Sequence, residues 1–198
     1  MKKIVIIGGG IAGLAAAYYI HKEISKNISI PLQVAGGLRS EEKISKVLDF
    51  ASRVVIGTIA MQLKESEQEN ILSDFIETFG NNRIVISIDH IDGKIVTHGW
   101  QNNTDVDLLD ATHEFVKYGF TEFLTTNVSK DGTLEGPDIS SLNNICQIKN
   151  CNVIASGGIS KMEDIEDVKK VHPFGVILGK ALYEGLVSIE EAKKIGIN

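Results

Sequence analysis

The feature that most constrains the fold of this chain is an internal repeat. Residues 31–40 (PLQVAGGLRS) are similar to residues 152–160 (NVIASGGIS), and the matching glycines Gly36 and Gly157 lie 121 positions apart. A parallel barrel of eight strand–helix units uses roughly 31 residues per unit, so this spacing corresponds to four units. A duplication of four units is the pattern expected of a barrel built from two half-barrels.

Short apolar runs alternate with amphipathic stretches along the chain. Continuous runs of Val, Ile and Leu are typical of strands that are buried on both faces of a parallel sheet. Such alternation indicates an α/β fold, either a barrel or a doubly wound sheet, and the repeat favours the barrel. The predicted strands are residues 4–7, 32–35, 54–56, 84–88, 122–125, 153–155 and 176–178. The first four predicted helices are residues 11–24, 41–50, 67–79 and 107–118.

The chain has 198 residues, whereas a complete eight-unit barrel takes about 250. By the register of the repeat, Thr126 maps onto residue 5, so the first predicted strand occupies the place of a second barrel strand. We therefore expect a TIM-type (βα) barrel, incomplete or altered, with seven βα units. A sheet that does not close leaves unpaired strand edges, and these favour dimerisation.

Charge and composition restrict the partners. The 20 Lys and Arg residues against 26 Asp and Glu residues give a net charge of −6, which argues against binding nucleic acid or an anionic membrane surface. Apolar runs stay below the roughly 18 residues that a membrane span needs. Cys146 and Cys151 lack metal-like spacing, and we expect reduced thiols in a cytoplasmic protein.

Pairs of glycines follow two strands at equivalent points of the repeat. Glycine lets backbone N–H groups approach an anion closely, and a helix that begins there adds its positive end. The alternative is that each pair makes only a tight turn between strand and helix. Two such sites predict an elongated ligand with a phosphate at each end. The first site comprises Gly36, Gly37, Gly57 and Thr58, and the second comprises Gly157, Gly158, Gly179 and Lys180.

Other polar residues follow predicted strands. Asp89 ends an apolar run, where a carboxylate faces the mouth of a barrel and can transfer protons, or caps a turn. Asp131 begins an Asp-Gly sequence that forms either a plain turn or a loop that holds substrate. Trp100, the only tryptophan, lies in a loop and is either a packing residue or a stacking surface for a planar substrate. His90 and His98 are interpreted as polar loop residues without metal spacing.

Four segments together resemble one enzyme family, the phosphoribosylformimino-5-aminoimidazole carboxamide ribotide isomerases of histidine biosynthesis. The resemblance runs from about residue 28 to the end of the chain. Gln33 before the glycines and Leu134 after Asp-Gly-Thr favour this isomerase over the sister cyclase of the same pathway. The segments are residues 31–40, residues 87–100 with Ser-Ile-Asp-His and Gly-Trp, residues 130–134 (KDGTL) and residues 155–160 (ASGGIS).

The resemblance implies an Amadori rearrangement of an aminoaldose to an aminoketose, without cofactor or metal, on a small substrate with two ribose phosphates. It implies that Asp89 is the general acid that opens the ribose ring and that Thr126 assists the rearrangement. It places Asp131 near the site, Trp100 on the substrate and Arg39 beside the first glycine pair. Ala35 stands where the family usually has a third glycine.

The amino terminus carries a different pattern. Gly8, Gly10 and Gly13 have the G-x-G-x-x-G spacing of a dinucleotide fingerprint. Residues 1–25 resemble the FAD-binding start of protoporphyrinogen oxidase-like flavin oxidases. The acidic residue required after the second strand is missing, so we expect a vestigial fingerprint without FAD. Residues 1–27 are thus interpreted as a Rossmann-like βα segment joined, as in a chimera, to isomerase residues 28–198 within one compact domain.

The function expected is that of the histidine-pathway isomerase with impaired activity. The family's strand-one aspartate, which removes the sugar C2 proton, has no match in this sequence. Two alternatives stay open: a non-catalytic phosphate-binding barrel or chimera, and a fragment of an FAD-binding oxidoreductase.

Overall fold

The computed structural model describes residues 5–8, 22–23, 25–27, 29–65 and 69–196. Its residues fall into two units. The first unit comprises Met1–Ile86 with Tyr118–Phe120, and the second comprises Ser87–Lys117 with Thr121–Asn198.

The first unit is a parallel sheet with helices between its strands. Its strands pair in parallel, each with the next one along the chain. In this register Val34 lies opposite Val54, and Val55 lies opposite Val85. The strands are β1 (Val5–Gly8), β2 (Leu32–Ala35), β3 (Arg53–Ile56) and the beginning of β4 (Ile84–Ile91). The helices are α1 (Glu41–Leu48), α2 (Thr58–Glu65) and α3 (Glu69–Phe79).

Helix α1 begins where its sequence favours it. The Ser40 side chain accepts a hydrogen bond from the backbone N–H of Lys43 at 3.4 Å and caps the helix. Ile44, Val47 and Leu48 recur at helical spacing and are all buried. A cap followed by an apolar stripe therefore fixes the helix that follows strand β2.

One buried side chain of the first unit lacks the contacts that burial requires. Gln33 of β2 is fully buried, and among the residues that the structure describes neither its Nε2 nor its Oε1 atom has a hydrogen-bond partner. An amide that is buried without partners costs stability, because it gave up its hydrogen bonds to water.

We expect Gln33→Met to raise the free energy of unfolding by about 1 kcal/mol and the melting temperature by roughly 2–4 °C. The reason is that methionine fills a similar volume without polar atoms. Urea denaturation measures the change, and Gln147→Met at an exposed glutamine is the matched control. A loss of stability in Gln33→Met alone would show that the amide has a partner in the native protein.

The second unit continues from residue 87 of β4. Strand β4 is hydrogen-bonded to β7, and β7, β8 and β9 pair in parallel. The further strands are β5 (Lys94–Thr97), β6 (Asn102–Asp107), β7 (Glu122–Asn127), β8 (Asn152–Ser156) and β9 (Gly175–Val176). The helices are α4 (Leu108–Lys117), α5 (Ile139–Cys146), α6 (Met162–Lys170), α7 (Lys180–Tyr183) and α8 (Ile189–Gly196).

The second unit contains a β-hairpin between β4 and α4, where the sequence analysis expected a loop between a strand and a helix. Asp92 and Gly93 both have positive φ (49° and 79°), and His90 pairs with Ile95 across them. A two-residue Asp-Gly turn between such strands is the usual start of a hairpin. Strands β5 and β6 then pair antiparallel, so the prediction for this stretch was wrong.

The α/β class and the parallel pairing within each unit are confirmed. Each of the seven predicted runs overlaps a strand, and α1 and α4 lie within the helices predicted for those regions. The helix predicted over residues 67–79 begins at Glu69, and α2 was missed. Most of the predicted helix 11–24, with Gly10 and Gly13, lies outside the described residues. Within those that are described, helices long and apolar enough to cross a membrane are absent.

Candidate active site

The candidate active site is centred on Asp89, near the carboxyl end of β4. The Ser87 hydroxyl donates a hydrogen bond to Asp89 Oδ1 at 3.1 Å. The Trp100 indole N–H donates to Asp89 Oδ2 at 2.9 Å. The Thr126 side chain also favours the charged form of this carboxyl and so acts to lower its pKa. Asp89 thus has a specific donor for each oxygen, which a turn-capping role does not require.

The local sequence explains this arrangement. Successive side chains of a strand point to opposite faces, so Ser87 and Asp89 share one face of β4, while Ile88 and His90 lie buried on the other. The neighbouring strand β7 delivers Thr126, which is itself buried. The Asp89 carboxylate, Ser87 and Thr126 therefore come from the adjacent strands β4 and β7.

Burial is the strongest influence on Asp89 and raises the pKa of its carboxyl above the ordinary value. Hydrogen bonds from Trp100, Thr126 and Ser87 act in the opposite direction, because they stabilise the charged form, but they do not cancel the effect of burial. A carboxyl with a raised pKa retains its proton at higher pH. This property suits a group that donates a proton to a substrate.

Trp100 reaches Asp89 from the turn between β5 and β6. His98, Gly99 and Trp100 all have positive φ (55°, 66° and 70°), and the Trp100 side chain is 43% exposed. The indole N–H binds the carboxylate while much of the ring faces solvent. Trp100 is therefore neither a core residue nor a free stacking surface in this state, because it is a hydrogen-bond donor to Asp89.

We expect Trp100→Phe to raise the pKa of the Asp89 carboxyl further, because phenylalanine lacks the N–H that stabilises the carboxylate. The measurement is a titration of the Asp89 carboxyl carbon by ¹³C NMR, with the signal assigned from its absence in Asp89→Asn. Tyr183→Phe, at an exposed aromatic residue, is the control. An unchanged or lowered pKa in Trp100→Phe would contradict the hydrogen bond.

A second polar cluster lies near His90, and the sequence analysis missed it. Asn127 donates from Nδ2 to Asp138 Oδ2 at 2.8 Å, and Asp138 caps α5 by accepting from the Ser141 backbone N–H at 3.1 Å. Burial raises the pKa of Asp138, but the hydrogen bonds from Ser141 and Asn127 outweigh it and the net pKa is lowered. The sequence feature that could have indicated this cluster is Asp138 directly before a helical stretch, because aspartate is a preferred N-cap residue.

The interpretation of His90 as a polar loop residue was wrong. His90 lies in β4 and is almost fully buried, and the Gly93 backbone N–H donates to its Nδ1 at 3.4 Å. Burial lowers the pKa of its imidazole despite the nearby Asp138, Asp89 and Asp92 carboxylates. The histidine is therefore neutral at pH 7. His98 lies in the hairpin turn, as expected, with Nδ1 3.0 Å from the Thr97 hydroxyl.

The second glycine pair lies under a loop. Gly157 and Gly158 have φ of 93° and 80°, and the Gly136 backbone N–H donates to the Gly158 carbonyl at 3.0 Å. A Cβ atom at Gly158 would lie 2.7 Å from the Gly136 carbonyl carbon. The close packing of this loop against Gly158 is therefore sufficient by itself to require glycine at position 158, whether or not a phosphate binds there.

The neighbouring candidate residues contact the same loop. Lys180 Nζ donates to the Gly132 carbonyl at 3.0 Å and lies 3.8 Å from the Glu184 carboxylate. Gly179 directly precedes α7. Asp131 is exposed, and its backbone N–H donates to the Asn127 carbonyl at 3.0 Å.

The first glycine pair belongs to the other unit. Gly36 and Gly37, with φ of 107° and 66°, connect β2 to α1, and Arg39 is exposed one residue before the Ser40 cap. Gly57 and Thr58 connect β3 directly to α2. These residues stay candidate phosphate ligands, and the positive φ values by themselves favour glycine at positions 36 and 37.

The two cysteines are poor nucleophiles. Burial raises the pKa of Cys146 to about 11 and that of Cys151 to about 12. Both are therefore protonated thiols at pH 7. Groups of three or more His, Cys, Asp or Glu side chains that could hold a metal ion are absent from the described part of the chain.

Parallel strands joined by helices, with a partly buried carboxyl and its donors near the end of one strand, define an α/β protein with a site suited to proton transfer. The chain belongs to the histidine biosynthesis protein family, which it matches over residues 3–188.

Curated relatives of the chain are isomerases. One, from Nitrosopumilus maritimus (strain SCM1), is named 1-(5-phosphoribosyl)-5-((5-phosphoribosylamino)methylideneamino) imidazole-4-carboxamide isomerase and is 58% identical over 174 residues, covering 88% of this chain and 72% of the relative. The isomerase of the same name from Cenarchaeum symbiosum (strain A) is 44% identical over 171 residues, covering 86% and 71%. That from Lachnoclostridium phytofermentans is 36% identical over 193 residues, covering 97% and 79%.

The family match also bears on the amino terminus. It begins at residue 3 and therefore includes β1 and the glycine fingerprint that follows it. The resemblance of residues 1–25 to flavin oxidases finds no support in these comparisons.

Proposed function

We propose that this chain is an aldose–ketose isomerase of histidine biosynthesis, acting on a bisphosphorylated phosphoribosyl-imidazole carboxamide. The observation that carries the proposal is the partly buried Asp89 carboxyl, which has a donor on each oxygen and a raised pKa. The names of the relatives support the same reaction.

In this proposal Asp89 acts as the general acid. It gives a proton to the ribose ring oxygen, the bond from that oxygen to C1 breaks, and the aminoaldose opens to an iminium ion. Loss of the C2 proton then gives an enaminol, which tautomerises to the aminoketose. Thr126, which favours the charged form of Asp89, stabilises the carboxylate that remains and assists the rearrangement. No cofactor or metal takes part in the proposed steps.

Trp100 has two positions in this proposal. It donates to Asp89 in the structure, and it leaves the carboxyl to pack against the planar imidazole when substrate binds. Aromatic rings stack favourably on such planar groups.

Each unit contributes one proposed phosphate site. In the first, the proposed ligands are Gly36, Gly37, Arg39, Gly57 and Thr58. In the second they are Gly157, Gly158, Gly179 and Lys180, with Asp131 on the adjacent loop. The Lys180 ammonium, which binds the Gly132 carbonyl in the structure, would exchange that carbonyl for a phosphate oxygen. The two phosphoribosyl groups in the relatives' name support this assignment.

We also propose that turnover is low. The proposal is based on the strand-one aspartate that the family resemblance implies as the base for the C2 proton, because none of the residues that the structure describes matches it. From the sequence pattern alone, we propose a boundary near residue 27 within a barrel of seven βα units. The chain is proposed to be cytoplasmic and to dimerise through unpaired strand edges.

The test is steady-state conversion of the aminoaldose by this chain beside the isomerase of Nitrosopumilus maritimus. We expect the aminoketose as product, formed more than tenfold more slowly than by that relative. A complete absence of product would overturn the isomerase function, whereas turnover within tenfold would overturn only the proposed impairment.

A further inference from the structure

The two oxygens of Asp89 have chemically different partners. Oδ2 accepts a hydrogen bond from the Trp100 indole N–H at 2.9 Å, and Oδ1 accepts one from the Ser87 hydroxyl at 3.1 Å. An indole N–H can only donate, whereas a serine hydroxyl can donate or accept. A proton on Oδ2 would point at another donor, but a proton on Oδ1 can be accepted by Ser87 after its hydroxyl rotates.

We propose that Ser87 is a positioning residue that makes Oδ1 the proton-bearing oxygen of Asp89. Its hydroxyl accepts a hydrogen bond from the protonated carboxyl and donates one to the carboxylate, so the carboxyl keeps one orientation through both states. The catalytic consequence rests on the proposed isomerase function, in which Asp89 must release a proton and regain it.

The surroundings of Asp89 leave few other groups for this role. On β4 the titratable neighbour is His90, which is buried and neutral at pH 7. From β7 the contact is the Thr126 hydroxyl, and from the hairpin it is Trp100. Ser87 is the partner observed on Oδ1, and it lies two residues before Asp89 on the same face of the strand.

Ser87→Thr and Ser87→Val form the matched pair that tests this role, because threonine and valine differ only in a hydroxyl in place of a methyl group. We expect kcat to fall about tenfold in Ser87→Val, the size of one lost hydrogen bond to a charged group, with KM unchanged. Ser87→Thr should keep kcat within twofold of the wild type. Ser87→Ala repeats the loss without added bulk, and thermal melts verify that each variant folds.

A titration separates this proposal from the proposed function. We expect ¹³C NMR to show a higher pKa for the Asp89 carboxyl in Ser87→Val and Ser87→Ala than in Ser87→Thr, because the charged form loses a donor. If the wild type gives no product but this difference is seen, the isomerase function fails and the role of Ser87 stands. Equal titrations in the three variants would overturn the role of Ser87, whatever the turnover.

Discussion

Gly158→Ala is expected to destabilise the protein by roughly 3–5 kcal/mol, since it adds a steric overlap to an unfavourable backbone conformation. The new Cβ would lie 2.7 Å from the Gly136 carbonyl carbon and 3.0 Å from the Pro137 nitrogen. Both are backbone atoms, so a side-chain rotation cannot relieve the overlap. The loop that precedes α5 would have to move away from the strand end.

Gly185→Ala is the matched control for this experiment. Gly185 has φ of 71°, close to the 80° of Gly158, but an added Cβ would have no heavy atom within 4 Å. It should cost only about 1–2 kcal/mol, the penalty of the left-handed conformation. Urea denaturation of both variants gives the two free energies of unfolding. Equal losses would show that the close approach of the Gly136 loop does not limit the residue at position 158.

The second large effect is expected from Asp89→Asn, which should lower kcat about 10²- to 10⁴-fold. Asparagine keeps the shape of the side chain and still accepts from Trp100, but it cannot give a proton to the ring oxygen. KM should change little, because we expect the proposed phosphate sites rather than Asp89 to contribute most of the binding. The control is Asp105→Asn, at an exposed aspartate of β6, which should retain its turnover. A loss of less than tenfold in Asp89→Asn would remove Asp89 from the role of acid.

The same variant has an expected effect on stability. Because the pKa of Asp89 is raised in the folded state, the folded protein binds its proton more tightly than the unfolded chain. Ionisation therefore lowers stability as pH rises through the interval between the ordinary and the raised pKa. Asp89→Asn removes this cost, so it should be more stable than the wild type at pH 7, with a smaller advantage at pH 3. A constant difference across this range would contradict the raised pKa.

Local patterns in the sequence predicted the elements well. Buried parallel strands need continuous apolar runs, so residues 84–88 could be recognised as a strand, and Asp89 could be recognised at its end without any knowledge of the neighbouring strands. The hairpin was also encoded locally, because Asp92-Gly93 lies between stretches of alternating apolar and polar residues. The repeated strand–helix pattern nevertheless predicted a loop and a helix after this strand. Without the hairpin, the contact between Trp100 and Asp89 could not be predicted.

Other parts of the site depend on contacts between distant positions, which spacing does not reveal. The requirement for glycine at position 158 comes from Gly136, which lies more than twenty residues earlier in the chain. The phosphate interpretation of Gly158 therefore had a steric alternative that became visible only in three dimensions. The hydrogen bond from Asn127 to Asp138 is of the same kind, since it depends on how the loop after β7 returns to α5.

The most direct test of the central claim, that Asp89 serves an aldose–ketose isomerase, is a single-turnover experiment. Aminoaldose labelled with ¹³C at C1 is mixed with excess protein and followed by NMR, so that even slow chemistry is detected. In the wild type we expect the signal of the ring carbon C1 to be replaced by that of the ketose CH₂, and in Asp89→Asn we expect the ring signal to persist. Persistence of the ring signal in the wild type, with substrate bound, would contradict the role of Asp89 in an aldose–ketose isomerase.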